Sequence, residues 1–490
     1  MKSSTPKILH RIGGLPLIGH ALAAARGLLP QRLAVVVRYE RDRVAAEVAT
    51  LDPTALLVDQ DDVPGTGRAA QVALEALDVA ALEAADAPVE GTVVVTYGDV
   101  PLLSTELLRQ LVAAHENQSN AVTVLTAHVA DPTGYGRILR AEDGTVLGIR
   151  EHKDASEAER AITEINSGIY AFDAGILRDA LNRVGTDNAQ GEMYLTDVLA
   201  LATEVGGRVA AWVTDDPWQV EGINDRVQLA TLGRVLNDRV LERWMHAGVS
   251  VLDPATTWVD VQVTLHSDVT LLPGVQLHGS TTVERDAVVG PDCTLTDVQI
   301  GPGATVIRTH GSESVIAAGA SVGPFTYLRP GTVLGEDGRI GAFYETKNVR
   351  IGARTKLSHL GYAGDAEIGE DTNIGCGNIT ANYDGERKHR TLIGSGVRTG
   401  SNTVFVAPVE VGNGAYSGAG AVIRRNVPAG ALALTIAAQR NAEGWVLDHR
   451  PGSVSALHAQ SSLHAQSALG ATRLDEHPET QQQSSEGTRA

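Results

Sequence analysis

A six-residue sequence repeat between Ile316 and Ile423 constrains the fold of this chain more than any other feature. An aliphatic or small residue recurs at every sixth position, with one-residue slips after Ile340 and Leu357 and an insertion after Thr380, and most of these residues are followed by glycine. A period of six fits neither an α-helix nor an isolated amphipathic strand. It predicts a parallel β-helix of very short strands, in which one side chain per strand points into a continuous core. The marked positions are Ile316, Val322, Leu328, Leu334, Ile340, Ile351, Leu357, Ile368, Ile374, Thr380, Ile393, Thr399, Phe405, Val411, Ser417 and Ile423.

The composition agrees with a solenoid and excludes several other classes of protein. The chain has 490 residues, too many for one ordinary domain, and its aromatic content of 4% suits a core of small aliphatic side chains. The only cysteines, Cys293 and Cys376, offer no disulfide framework and favour a reducing, cytoplasmic location. A formal net charge of -19 argues against a general nucleic-acid binder. No stretch is long and apolar enough to predict a membrane span.

The chain divides into four predicted segments. Residues 1–225 alternate apolar strands with helices, which predicts a doubly wound α/β domain that binds ligands at the carboxyl ends of its strands. Residues 32–39 and 91–103 are interpreted as buried parallel strands, and residues 10–28 and 65–81 as helices. Residues 226–249 predict a linker helix, and residues 250–450 the β-helix. Residues 451–490 are rich in Ser, Gln, Ala and Thr, and we expect a disordered tail.

Several motifs in the first segment point to phosphate chemistry. Asp99 ends the strand VVVTYGD, where a lone carboxylate suits Mg²⁺ bound to phosphate oxygens. An ordinary turn or helix-cap aspartate is an equally acceptable interpretation of that residue alone. The Gly-rich turn PGTGRAAQ (64–71) opens a helix and is a possible anion cradle. Together with TPKILH (5–10), DPTGYGRI (131–138), EINSGIYAF (164–172) and VEGINDR (220–226), these motifs resemble the sugar-1-phosphate nucleotidyltransferases.

The β-helix segment carries a second candidate site where the six-residue repeat is interrupted, over residues 343–369. This stretch holds Lys347, His359 and Tyr362, with Arg329 upstream. Acyl transfer to an amine needs a base, for which histidine is suited near neutral pH, and a sugar phosphate needs Arg or Lys. Taken alone, His359 fits a solvated loop residue better than a catalytic one. The repeats VGPFTY, IGEDTN, IGCGNI and VGNGAY resemble those of left-handed β-helix acyltransferases, and the left hand comes from that resemblance alone.

Both halves together resemble the family of bifunctional N-acetylglucosamine-1-phosphate uridyltransferases and glucosamine-1-phosphate N-acetyltransferases. The resemblance implies UTP and acetyl-CoA as co-substrates, Mg²⁺ and a cytoplasmic homotrimer. Direct acetyl transfer is the simpler mechanism, because neither cysteine is positioned as an acyl-carrying nucleophile, and the charge and composition predict no nucleic-acid or membrane partner. For uridyl transfer the resemblance implies that Lys7 binds phosphate and that Asp99 and Asn224 bind Mg²⁺. It implies that the uracil is held by Gln60, Gly65 and Thr66 and that the nucleotide site is lined by Tyr97 and Gly98. It implies that the sugar is held by Gly136, Glu151 and Asn166. For acetyl transfer it implies His359 as general base, glucosamine 1-phosphate on Arg329, Lys347, Tyr362 and Asn373, and acetyl-CoA on Cys376, Asn382, Tyr383, Ser401 and Ala419.

The sequence departs from that family in three places, of which Cys376, where an alanine is common, is a mild change. Family members open with an apolar strand and a Gly-rich phosphate loop, and Met1-Lys2-Ser3 falls inside that loop, so we expect the true start to lie upstream. Ile436 stands where some members place an arginine near the coenzyme, and Arg424, Arg425 or Arg440 could replace it. Three rival functions stay open. They are an acetyltransferase with an inactive first domain, another nucleotidyltransferase with a regulatory β-helix, and a non-catalytic scaffold.

Overall fold

The computed structural model describes residues 1–188, 190–435 and 439–474, the last eight of these by backbone alone. They belong to two compact units, Met1–Leu434 and a second unit that begins at Thr435. Over the described ranges, no helix has both the length and the apolar character that a membrane crossing needs.

The amino-terminal part of the first unit is an α/β domain. Its main sheet has six strands in the order β10-β6-β9-β7-β8, with β5 also paired to β9. β10 runs parallel to β6, and β9 runs antiparallel to β5, β6 and β7. Its strands are β1 (Arg11–Ile12), β2 (Leu15–Pro16), β3 (Ala34–Val37), β4 (Leu56–Asp59), β5 (Thr92–Val95), β6 (Val122–His128), β7 (Arg137–Arg140), β8 (Val146–Arg150), β9 (Glu164–Asp173) and β10 (Val209–Thr214), and its helices are α1 (Leu17–Arg26), α2 (Arg41–Leu51), α3 (Thr66–Glu83), α4 (Thr105–Asn117), α5 (Glu157–Arg160), α6 (Ala174–Leu181) and α7 (Asp197–Glu204).

Two local predictions for this domain were wrong. The helix predicted from His10 begins only at Leu17, because β1 and β2 pair as a small hairpin before it. β5 was expected to be a parallel strand, yet its only ladder within the described residues is antiparallel to β9. The direction of a strand's neighbour depends on residues far away in the sequence, so the apolar run 92–95 does not contain that information. The helix predicted over residues 65–81 is confirmed as α3.

A cleft of about 1720 Å³ separates β5 from β3. β3 pairs with β4 alone, in a separate parallel two-stranded sheet. Apolar side chains from both strands line the cleft, among them Val35, Val36, Val93 and Val94. In the described part of the chain, no strand bridges the facing edges of β3 and β5. The cleft therefore has the apolar lining of a strand position in a sheet.

A helix links the α/β domain to the solenoid. It is α8 (Arg226–His246), and it begins where the Asp225 carboxylate accepts a hydrogen bond from the Gln228 backbone N–H. The buried Asn237 amide fixes it to the first coil, because it donates to the Thr257 carbonyl and accepts from the Val259 N–H, at 2.9 and 3.0 Å. A buried amide needs both kinds of partner, and here it has them.

The solenoid is a parallel β-helix. From β11 to β23 each strand pairs in parallel with the third strand after it, so one coil contains three strands. The prediction of a β-helix from the six-residue repeat is confirmed, since the side chains at the repeat positions are buried except for the half-buried Ser417. The architecture is consistent with the left hand of the resemblance. The strands are β11 (Ser250–Val251), β12 (Trp258–Val259), β13 (Thr264–Leu265), β14 (Thr270–Leu271), β15 (Gln276–His278), β16 (Thr282–Val283), β17 (Val288–Val289), β18 (Thr294–Thr296), β19 (Gln299–Ile300), β20 (Thr305–Val306), β21 (Thr309–Ser312), β22 (Val315–Ile316), β23 (Ser321–Val322), β24 (Thr326–Leu328), β25 (Thr332–Leu334), β26 (Arg339–Ile351), β27 (Lys356–Ile368), β28 (Asn373–Ile374), β29 (Ile379–Ala381), β30 (Thr391–Ile393), β31 (Val404–Val406), β32 (Val409–Val411), β33 (Tyr416–Ser417), β34 (Val422–Ile423) and β35 (Leu432–Ala433).

The second unit contains two helices, α9 (Trp445–His449) and α10 (Val454–Leu474). The solenoid strands end at Ala433, earlier than the boundary at 450 that the sequence analysis gives. α10 lies within the segment for which a disordered tail is expected. Its repeats contain Leu, Ala and Gln, which are good helix formers even where they cannot build a core. Residues 475–490 lie outside the described part of the chain.

Candidate active sites

One cluster in the α/β domain joins a lysine to two oxygen ligands. Asp99 follows β5, Asn224 precedes α8, and Lys7 lies in a short 3-10 turn. The Lys7 Nζ lies 2.5 Å from the Asp99 Oδ2 and donates to the Asn224 Oδ1 at 3.0 Å. Because two oxygens converge on one cationic nitrogen, this pair fits a hard cation. The described residues contain no group of three or more His, Cys, Asp or Glu that could hold a metal, so amide, water and substrate oxygens would complete its shell here.

Hydrogen bonds and close packing fix the shape of the Gly-rich turn before α3. The Gln60 Nε2 donates to the Val63 and Gly65 carbonyls, at 3.1 Å each. Gly65 has a φ of +122°, and a Cβ there would lie 2.3 Å from the Met193 carbonyl oxygen, so no other residue fits. The Thr66 hydroxyl accepts from the Leu195 N–H at 3.2 Å. The turn thus has a fixed shape at the start of a helix, which suits a ligand that needs close backbone approach.

A third group lies along β9 and its neighbours. The Asn166 N–H donates to the Gly136 carbonyl at 2.9 Å, and the Asn166 Oδ1 accepts from the Gly168 N–H and the Tyr170 hydroxyl, both at 2.9 Å. The Tyr97 ring packs on Gly168, where a Cβ would lie 1.9 Å from a ring carbon. Burial raises the pKa of Glu151, and burial followed by the Glu151 and Asp99 charges raises the pKa of Tyr97 to about 12. Tyr97 therefore stays a neutral phenol that can donate a hydrogen bond.

These three groups adjoin one another. Tyr97 is hydrogen-bonded to Thr66 and is close enough to Asp99 and Glu151 for their charges to affect it. The structure therefore brings near one another all the residues assigned by resemblance to uridyl transfer: Lys7, Gln60, Gly65, Thr66, Tyr97, Gly98, Asp99, Gly136, Glu151, Asn166 and Asn224.

Sequence reasoning missed a buried arginine next to Gly136. Arg137 is 1% exposed and donates to the Tyr135 carbonyl and, at 3.4 Å, to the Arg160 carbonyl. Its Nε has no partner among the described residues, and burial lowers the pKa of its guanidinium. It fixes the turn that presents Gly136. Its place in the motif GYGRI was visible, but its burial was not.

A column of residues on the β-helix contains His359. His359 pairs with Ala342 below it, and backbone bonds then stack Cys376, Ser401 and Ala419 in successive coils above it. These bonds are Gly377 N–H to Leu360 carbonyl and Asn402 N–H to Cys376 carbonyl, both 2.7 Å, and Gly420 N–H to Ser401 carbonyl, 2.8 Å. The His359 side chain is exposed, and within the described ranges its ring makes no hydrogen bond. It is thus available to a substrate.

A cationic group lies on the neighbouring face. The Arg329 Nη1 lies 2.9 Å from the Glu345 Oε1, and Lys347 lies beside Lys388, whose ammonium lowers the pKa of Lys347. Two ammonium groups in contact favour an anion between them. Sequence reasoning did not assign Lys388, although a basic residue in the insertion 382–390 was a usable signal. Asn382 and Tyr383 begin this insertion, and the Asn382 Nδ2 lies 3.4 Å from the Tyr362 hydroxyl.

The single chain does not gather every residue assigned to acetyl transfer. Asn373 lies in a different column, paired in register with Lys356 below and Arg398 above. Among the described residues, no side-chain hydrogen bond or ion pair joins Asn373 to Lys347 or His359. Ile436 lies outside the described residues, and Arg424 and Arg425 are exposed.

Relatives with known names match nearly the whole chain, and a family model matches its amino-terminal part. Residues 1–162 match the family described as a MobA-like NTP transferase domain. The chain is 74% identical over 462 residues to "Bifunctional protein GlmU" of Paenarthrobacter aurescens (strain TC1), which covers 94% of this chain and 92% of the relative. Proteins of the same name from Micrococcus luteus and Mycolicibacterium gilvum are 63% and 55% identical, and each alignment covers 94% of this chain and at least 92% of the relative.

Proposed function

This chain belongs to the GlmU family of bifunctional proteins, and from that premise we propose that it makes UDP-N-acetylglucosamine in two transfers. The β-helix site acetylates glucosamine 1-phosphate with acetyl-CoA. The α/β site then joins the product to UTP and releases pyrophosphate. The product would supply peptidoglycan and other cell-envelope glycans. The observation that carries the proposal is that one chain holds two separate constellations, Lys7–Asp99–Asn224 and the His359 face with its lysine pair.

The proposed acetyl transfer is direct. The amine of glucosamine 1-phosphate attacks the thioester carbonyl, the carbon–sulfur bond breaks, and coenzyme A leaves as its thiol. The unpartnered His359 ring takes the proton that the amine loses. Lys347, Lys388 and Arg329 neutralise the phosphate of the sugar, since charge-assisted hydrogen bonds to phosphate are among the strongest.

The proposed uridyl transfer depends on positioning. A phosphate oxygen of the sugar attacks the α-phosphorus of UTP, and the bond to the pyrophosphate breaks. Asp99 and Asn224 would hold Mg²⁺, which supplies positive charge beside the phosphates when bound. Lys7 donates to phosphate oxygens, and the Gly-rich turn at Gly65 and Thr66 holds the nucleotide. Little covalent help from the protein is needed for such a transfer.

We propose further that the protein works in the cytoplasm as a homotrimer on these small molecules. Asn373 lies away from Lys347 on a single chain, so a second copy would have to complete the acetyl site. An exposed apolar ladder next to His359 supports this assembly. Phe325 and Phe343 stack with ring centroids 5.3 Å apart, and Leu360 continues the ladder. A second candidate function is acetyl transfer alone, which the open cleft between β3 and β5 favours.

The proposal is tested by supplying the purified chain with glucosamine 1-phosphate, acetyl-CoA, UTP and Mg²⁺. Release of the coenzyme A thiol reports the first transfer, and pyrophosphate release reports the second. We expect both, with thiol release independent of UTP. Absence of thiol release would reject the acetyltransferase assignment. Thiol release without pyrophosphate would favour acetyl transfer alone.

A further inference from the structure

We infer that Asp365 is the positioning residue of the acetyl-transfer site, because it fixes the insertion 382–390 to the solenoid. The inference rests on the proposed acetyl transfer for its effect on activity, but not for its effect on the insertion. Asp365 has no role in the family resemblance.

Asp365 is buried between two side-chain amides. It lies in β27, is 7% exposed, and has a left-handed backbone with φ of 48°. Its Oδ1 accepts from the Asn348 Nδ2 at 2.7 Å, and its Oδ2 accepts from the Asn382 Nδ2 at 2.5 Å. The three residues lie one above another in successive coils. Asp365 thus connects the coil below it to the residue that begins the insertion.

The insertion is otherwise a self-contained turn. The His389 N–H donates to the Asn382 carbonyl at 2.8 Å, and the Asp384 carboxylate accepts from the backbone N–H groups of Glu386 and Arg387. These bonds shape the turn but do not orient it on the solenoid.

Among the described residues, three side-chain contacts tie the insertion to the coil below. The Asn382 Nδ2 donates to the Asp365 Oδ2 at 2.5 Å and lies 3.4 Å from the Tyr362 hydroxyl, and the Arg390 Nη2 lies 2.7 Å from the Glu367 Oε1. The Arg390–Glu367 pair is about half exposed on both sides, and exposed pairs contribute little. The contact with Tyr362 is long, and Asn382 is 9% exposed, so its bond to a buried carboxylate is the strongest of the three. The orientation of the insertion therefore depends mainly on Asp365.

This orientation matters because the insertion carries groups for both substrates. Tyr383 and Asn382 are assigned to acetyl-CoA, and Lys388 lies against Lys347 at the proposed phosphate position. Asp365 itself is unsuited to proton transfer, since both of its oxygens accept hydrogen bonds from amides. Its effect on the reaction would pass through Asn382 and Lys388.

A matched pair of glycine substitutions tests the inference. Asp365 and Asn348 occupy the same corner in adjacent coils, with left-handed φ values of 48° and 44° that glycine tolerates. Asp365→Gly removes the contact with the insertion, whereas Asn348→Gly removes only the lower contact. Trypsin reports the order of the insertion directly, because it cleaves after Arg387 and Lys388. The KM for glucosamine 1-phosphate, the KM for acetyl-CoA and kcat report the effect on the reaction.

We expect Asp365→Gly to speed tryptic cleavage in the insertion and to raise the KM for glucosamine 1-phosphate, each by about tenfold or more, since the lost bond is to a charged group. Asn348→Gly should stay within about twofold of wild type on both measures. Asp365→Asn should behave like Asp365→Gly, because an amide offers one acceptor oxygen to two donors. It also replaces the glycine variant if that protein fails to fold.

Equal cleavage rates and equal KM values for Asp365→Gly and Asn348→Gly would overturn the inference. So would a uniform fall in kcat with unchanged KM and unchanged cleavage. If the wild type does not acetylate but Asp365→Gly alone opens the insertion to trypsin, the proposed function fails while the positioning of the insertion stands.

Discussion

Asp99→Ala should separate the two proposed activities of the chain. The Asp99 carboxylate and the Asn224 amide oxygen converge on one cationic position, now taken by the Lys7 ammonium. Removing the carboxylate leaves a single oxygen there. We expect uridyl transfer to be lost and acetyl transfer to continue at its normal rate, since His359 and Lys347 belong to the β-helix.

The structure sets the size of both effects. The Lys7 and Asp99 side chains are 38% and 19% exposed, so solvent screens their pairing, and losing it should cost at most about 1 kcal/mol of unfolding free energy. The melting temperature of a domain of this size should then change by about 2–4 °C or less. A metal ion supplies several kcal/mol of transition-state stabilisation, which corresponds to a rate loss of about 10³-fold or more. The loss of activity would therefore far exceed any effect of unfolding.

Asp78→Ala is the matched control. Asp78 is 20% exposed and lies 2.9 Å from the Arg178 Nη2, so this substitution breaks a similarly buried pair in the same domain. Pyrophosphate release and coenzyme A thiol release are measured on both variants with Mg²⁺. Asp78→Ala should retain uridyl transfer. Wild-type uridyl transfer by Asp99→Ala, or parallel loss of acetyl transfer, would refute the reasoning.

Three further predictions follow from the fold. His359→Ala should slow acetyl transfer by about 10²-fold or more, as expected on losing a positioned base, and should leave uridyl transfer unchanged; equal loss of both activities in a folded protein would contradict its role. Deletion of residues 456–490 should leave the melting temperature and acetyl transfer nearly unchanged, and loss of trimers in size-exclusion chromatography with light scattering would show instead that the tail is structural. A designed apolar strand fused ahead of the chain and able to reach the cleft should protect the facing edges of β3 and β5 from protease, because it would pair their exposed backbone groups; unchanged cleavage at both edges would contradict this.

The solenoid was readable from the sequence because its signal is local. One inward side chain per six residues fixes which face of each strand is buried, and Leu328 and Ile340 are buried accordingly. Strand direction in the α/β domain carries no such local signal, and β5 was misjudged for that reason. The same limit applies to sites. Motifs suggested Lys7, Asp99 and Asn224, but only the fold shows them in contact.

The residues that sequence reasoning missed act through distant partners. Asp365 looks like an ordinary turn aspartate until Asn348 and Asn382 are seen on either side of it. Lys388 looks like a solvated charge until it is seen beside Lys347. Arg137 gives no sign in the sequence that it is buried. The roles assigned to all these residues stay predictions until they are measured.

The ladder between β27 and β30 passes the insertion without a change of register. Ala366 pairs with Thr391 and Ile368 with Ile393, as if residues 382–390 were not there. The stacking of the coils thus does not depend on the number of residues at a corner. Extra residues at a corner form a loop outside the stack, and the register of the strands stays the same. A foreign peptide grafted at Gly385 should be displayed outside the stack, whereas one residue added within β28 would move inward side chains to the solvent face. Corners of this solenoid can therefore acquire new chemistry independently of its core.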